Sequence, residues 1–158
     1  MKSFDFKKFI LSISICLFFG FLGSFFTSSS INDWYVSIKK PSFNPPNWIF
    51  GPVWTFLYVL MGISLYTIIN RRFDKKVKSG IITFGIQLTL NFFWSIIFFG
   101  LKNILLAFIE IVVLWFFIIV TILKFWRIDK RASYLLIPYL TWVSFAAVLN
   151  FSIYLLNI

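Results

Sequence analysis

Five long apolar stretches, over 9–26, 48–70, 79–100, 103–123 and 134–157, are separated by short segments that carry most of the charge and proline. At ~1.5 Å per residue each makes a helix of about 27–36 Å, enough to cross a hydrocarbon layer of about 30 Å. Lipid offers no partner to backbone N–H and C=O groups, so spans of this kind must be helices that pack as a bundle. The pattern predicts an all-α integral membrane protein, a five-helix transmembrane bundle forming one domain over 1–158. The first stretch, "MKSFDFKKFILSISICLFFGFLGS", shares a charged start and apolar middle with signal peptides. Its downstream region is crowded with Phe and shows no clear A-x-A site, so it is expected to be retained as a helix.

The segment "KPSFNPPNWIFGPVWTFLYVLMG" (40–62) puts Pro41, Pro45, Pro46 and Pro52 where a span should begin. Prolines restrict the backbone and cannot continue a helix, so the 27–47 connection is expected to be an extended, stiffened lid over the bundle. A plain structured loop is the alternative. Asn47 is expected to cap the second span, Trp48 to anchor it at the membrane interface, and Pro52 to fall near its first turn. Trp34 and Tyr35 are expected on the lid side, with Trp34, Pro41, Pro45, Pro46 and Trp48 at the pocket mouth.

Polar residues inside the spans recur at helical spacing. Gln87, Asn91 and Trp94/Ser95 share one face of the third span, and Tyr139, Trp142, Ala146 and Asn150 one face of the fifth. Trp54, Tyr58 and Met61/Gly62 do the same in the second. Amides in lipid need partners, so these faces are expected to point into the bundle. Gln87 is expected to pair with a neighbouring helix. Trp54 and Asn91 are placed about 9 and 14 Å below the lid-side boundary, with Trp142 nearer the midplane. An aromatic stripe is compatible with plain core packing as well as with a pocket for a flat ligand.

Composition narrows the chemistry. The chain is 60% hydrophobic and 23% aromatic, with a mean hydropathy of +0.91, more apolar surface than one soluble core of 158 residues can hide. It has no histidine, which excludes a Ser-His-Asp triad and His-ligated zinc or haem. The single cysteine, Cys16, excludes disulfides and CxxC redox chemistry, and no metal site is expected.

The net charge of +10 lies between the spans, so it reports topology and not a nucleic-acid partner. Lys2, Lys7 and Lys8, then Arg71, Arg72, Lys75, Lys76 and Lys78, then Lys124, Arg127, Lys130 and Arg131 share one side; Lys39, Lys40 and Lys102 lie on the other. The positive-inside rule places the N-terminus inside and the C-terminus outside, in what is expected to be a bacterial cell membrane.

Three blocks, "WYVSIKKPSFNPPNWIFGPVWTFLYVLMGISLY" (34–66), "QLTLNFFWSIIFF" (87–99) and "LIPYLTWVSFAAVLN" (136–150), resemble the TspO family of tryptophan-rich sensory proteins, which includes the mitochondrial translocator protein. The first and fourth spans match only in character. The resemblance implies a five-helix membrane protein that binds porphyrins such as protoporphyrin IX or haem, and in some members drug-like hydrophobic molecules. It implies ligand contacts at Trp54, Tyr58, Asn91, Trp94, Trp142 and Ala146, no required cofactor, and a homodimer in some relatives. Sterol binding is not expected: in "VLNFSIYLLNI", Phe151 stands where the sterol motif needs Tyr, and no basic residue follows.

The implied activity is tetrapyrrole sensing or translocation. Light- and oxygen-dependent porphyrin degradation is the enzymatic alternative, although no acid–base pair supports it. A third reading is a proton-coupled cation exporter built on Glu110, the only acidic residue within a span, which sits about 10 Å from the end of the fourth span and is expected to be wetted or protonated. Gly20 and Ser24 form a small-xxx-small pair for packing inside the bundle or between protomers.

Overall fold

The computed structural model describes residues 4–158; Lys2 lies outside them. The helices are α1 (Phe6–Ser30), α2 (Trp34–Ser37), α3 (Asn47–Ile69), α4 (Lys75–Ser95), α5 (Ile104–Trp126) and α6 (Lys130–Leu156). All except α2 are long and apolar enough to cross a membrane, and the protein is a multi-pass integral membrane protein. Successive spans run antiparallel. Lys7, Lys8, Arg71 and Arg131 thus gather at one end of the bundle, and Lys39, Lys40 and Lys102 at the other, the lid end.

Helix starts are set by single side chains that a hydropathy window does not register. Asp5, Asp74 and Asn103 accept from the N–H of Lys8, Val77 and Leu106 at 3.1, 2.8 and 2.9 Å, and Asp129 accepts from that of Arg131 at 2.9 Å. Hence α4 begins at Lys75 and α6 at Lys130, four residues before the apolar runs expected at 79 and 134. At its other end α1 runs on to Ser30, four residues past the expected stop at 26. Ser28 and Ser29 donate to carbonyls three residues back in the same helix, and Ser30 donates to the Phe99 carbonyl at 2.9 Å.

Helix α3 corrects two expectations. Its N-cap is Pro46, which supplies no side-chain hydrogen bond, and Asn47 is already helical. Pro52 therefore lies in the second turn, where its missing N–H leaves the Trp48 carbonyl without a helical donor. Helix α4 ends in a wide π turn over Ile96–Gly100, closed by Leu101 N–H on the Ile96 carbonyl at 2.8 Å. Such turns are rare and carry no strong sequence signature.

Close approaches hold the bundle together. A Cβ on Gly62 would stand 2.5 Å from the Ile13 Cα, so α1 and α3 touch backbone to backbone there. The Tyr58 ring covers Gly20, so that this member of the small pair on α1 packs inside the protomer, whereas Ser24 is exposed. Towards the lid end α1 leaves α3 for α4: Gly23 faces the Ser95 hydroxyl, and Phe26 faces Gly100. At the opposite end the Phe84 and Phe125 rings stack at 5.9 Å, and Ser64 donates to the Ala132 carbonyl at 2.8 Å. There Arg71, just past α3, pairs with Asp129 at the start of α6.

Burial alone pushes the Asp129 carboxyl up, but the Arg71 hydrogen bond and the Arg131 N–H together hold it below the usual 3.8. The folded protein thus takes up this proton at lower pH than the unfolded chain. The stability from this group is complete above 3.8 and disappears as pH falls through the lowered value. Asp129→Ala removes both the cap and the Arg71 partner and is expected to cost about 1–3 kcal/mol at neutral pH. Thermal unfolding in detergent at pH 7 and below 3.8 checks both the loss and its convergence with wild type. Gly62→Ala is expected to cost about 1–3 kcal/mol through overpacking against the Ile13 backbone, read in the same assay.

Candidate functional site

A cavity of about 470 Å³ lies in the lid-side half of the bundle. Helix α3 contributes Trp54 and Tyr58, α4 contributes Asn91 and Trp94, and α6 contributes Trp142 and Ala146; all six line this one space. The Trp54 ring lies 5.7 Å from that of Tyr58 and 6.3 Å from that of Tyr139. Trp142 approaches Phe50 at 6.2 Å, one turn nearer the lid than Trp54. It is therefore not displaced towards the midplane as counting from the end of its span suggests; beyond it α6 runs on to reach the lid at Asn157.

Hydrogen bonding sorts the polar residues into structural and available groups. The Trp94 indole N–H donates to Asn150 Oδ1 at 3.2 Å, and Asn150 Nδ2 donates to the Ile104 carbonyl at 3.0 Å. Trp94 thus offers its ring to the cavity, stacked on Phe98 at 5.0 Å, while its N–H is occupied. Asn91 is 2% exposed and its Nδ2 has no partner among the described residues. It is the amide free to meet a ligand. Gln87 lies a turn deeper, 1% exposed and outside the cavity lining, and neither amide atom has a hydrogen-bond partner among the described residues. The expected pairing with another helix is absent.

Several expected residues stand apart from the cavity. Trp48 is 74% exposed on the first turn of α3. Pro41, Pro45 and Pro46 shape the lid without lining the space, and Trp34 packs on Phe98 at 5.5 Å behind it. Both Glu110 carboxyl oxygens are shielded by protein and have no hydrogen-bond partner among the described residues, and Glu110 does not line the cavity. Trp115 donates to Ser144 Oγ at 2.8 Å, an interhelical tie. Among the described residues no cluster could hold a metal ion.

The lid is more ordered than an extended strap. Helix α2 places Tyr35 over the cavity, where its hydroxyl donates to Asn44 Oδ1 at 2.6 Å. Burial pushes this phenol up to about 12, against the opposing effect of the Asn44 bond, so it remains a neutral donor at ordinary pH. Lys40 Nζ donates to the Tyr35 and Ile38 carbonyls at 2.6 and 2.9 Å. Asn157 at the end of α6 grips Lys39 twice, accepting its N–H at 3.0 Å and donating to its carbonyl at 2.9 Å.

Sequence reasoning missed the wall made by α1, where Leu17, Gly20, Phe21 and Ser24 line the cavity. The small residues at 20, 23 and 24 were the available signal, and packing accounted for them equally well. Phe98 and Phe99 were also missed, because the π turn that aims them inward is not legible in the sequence.

Asn157→Ala removes both lid bonds and is expected to increase amide hydrogen exchange across 35–45 several-fold. Exchange in α4 and α5 should stay unchanged.

The description of the TspO/MBR family matches residues 12–156. The "Tryptophan-rich protein TspO" of Archaeoglobus fulgidus is 51% identical over 152 residues, covering 95% of this chain and 97% of the relative. The "Tryptophan-rich sensory protein" of Cereibacter sphaeroides is 33% identical, covering 80% and 78%. The human "Translocator protein" is 31% identical, covering 85% and 80%.

Proposed function

The chain belongs to the TspO/MBR family, and on that premise we propose that its cavity binds a porphyrin, protoporphyrin IX or haem, as a membrane sensor or translocator. The observation that carries this reading is the convergence of Trp54, Asn91 and Trp142, from three different helices, on one aromatic-walled space. Indole faces stack on a flat π-system, and a lone buried amide supplies the hydrogen bond that orients it. The names of the relatives, sensory and translocator proteins, support the same direction. The protein sits in a cell membrane with the cation-rich end of its bundle inside, supported by the charge asymmetry between its ends.

Protoporphyrin IX titrated into purified protein in darkness is expected to quench tryptophan fluorescence saturably. Trp54→Leu and Trp142→Leu are each expected to weaken binding by about tenfold, ~1.4 kcal/mol of lost stacking. Unchanged affinity in both variants refutes the assignment. A new absorbing product that requires light, oxygen and folded protein moves the reading to porphyrin degradation.

A further inference from the structure

The cavity has a closed roof and an open side. Above it, Tyr35, Asn44, Lys40 and Asn157 join the lid to itself and to α6 through hydrogen bonds of 2.6–3.0 Å. Behind it, α4 and α6 are tied by Trp94 and Asn150. Between α1 and α3 the lid-side half shows no comparable hydrogen bond among the described residues; the tie of Asp5 N–H to the Tyr66 hydroxyl, 3.0 Å, lies at the opposite end. The two helices touch at Ile13/Gly62 and again at Gly20/Tyr58, after which α1 turns to α4 at Gly23/Ser95 and to the π turn at Phe26/Gly100. Helix α3 runs on without it.

The rim of this gap is lined and exposed at once. Phe21 and Ser24 on α1, and Gly51 and Thr55 on α3, border the cavity, yet all four are exposed on the bundle surface, Phe21 by 59%. A Cβ on Gly51 would meet nothing within 4 Å. Gly51 and Thr55 lie about 6 and 12 Å below the start of α3, and so at the depth of the lid-side half of the hydrocarbon layer. What they face is therefore lipid, not water.

The lining restricts what can pass. Among the described residues no Lys, Arg, Asp or Glu borders the cavity. A carboxylate brought inside would lose its hydration with no opposite charge to meet it, which is costly in a medium of low dielectric. Uncharged flat molecules dissolved in the bilayer meet no such barrier.

We infer that the cavity is loaded sideways from the bilayer, through the gap between α1 and α3, by flat hydrophobic molecules in uncharged form, a porphyrin entering with its carboxyl groups protonated, while the hydrogen-bonded lid stays shut. This rests on the proposed porphyrin reading and adds to it the route and the charge state of the ligand.

The test uses the full chain in phosphatidylcholine vesicles with protoporphyrin IX dimethyl ester as probe, followed by stopped-flow tryptophan quenching. Association with the wild-type protein is expected to follow the mole fraction of ester in lipid when vesicle concentration is varied at a fixed total. A rate that instead follows the aqueous concentration overturns the inference, and needs no variant. Gly51→Phe and Ser24→Phe narrow the rim from opposite sides, and each is expected to slow both association and dissociation several-fold. Unchanged or faster dissociation in both overturns it. So does a several-fold acceleration of both rates in Asn157→Ala, which would place the route through the lid. The free diacid is expected to associate several-fold more slowly than the ester at equal lipid mole fraction; equal or faster association by the diacid removes the claim of an uncharged ligand. Absence of saturable binding of both the ester and the free diacid by the wild type would sink the porphyrin reading itself, whereas normal binding with unaffected rates would sink only the route.

Discussion

At Gly62 the backbone of α3 lies so near Ile13 that a methyl group would stand 2.5 Å from the Ile13 Cα, and the shape of the whole lid-side half follows from that contact. In lipid, helices gain little from hiding apolar surface, so close backbone approach at small residues decides where they meet. Ile13/Gly62 and Gly20/Tyr58 fix the crossing of α1 and α3 near the middle of the bundle. Straight rods fixed at one crossing separate beyond it. Helix α1 is then caught by α4 at Gly23 and Ser95, and the space it leaves beside α3 becomes the cavity and its open side.

The aromatic residues divide by what holds them. Phe84 and Phe125, stacked at 5.9 Å, fill the cation-rich half and leave no room between α4 and α5. In the lid-side half Trp94 stacks on Phe98, but other rings stand on edge against one another, as Trp54 does to Tyr139 and Phe50 to Trp142. Edge-to-face packing lines a space without filling it. The polar atoms show the same economy. The Asn150 amide is occupied at both ends by Trp94 and Ile104, so that Asn91 remains the amide with donor capacity to spare at the cavity wall.

The lid and the cation-rich end illustrate how little charge is needed outside the spans. One Arg71–Asp129 pair joins the end of α3 to the start of α6, and one lysine, Lys40, closes the turn after α2 on backbone carbonyls. Both act where water and headgroups begin.

The number of spans, their helical character and the concentration of positive charge at one end were legible in the sequence, because each depends only on local composition and on the inability of lipid to satisfy a backbone. The inward faces carrying Trp54, Asn91 and Trp142 were legible too, since spacing alone puts them on single stripes. The helix starts were readable in principle from Asp74, Asn103 and Asp129, but hydropathy hid them. What only the tertiary structure decided is the void itself. Whether facing aromatic stripes close into a core or stand apart depends on where α1 crosses α3, on the π turn that aims Phe98 and Phe99 inward, and on where the end of α6 meets the lid. Those are relations between segments distant in the chain, set by atomic contacts across helices, and no local pattern encodes them.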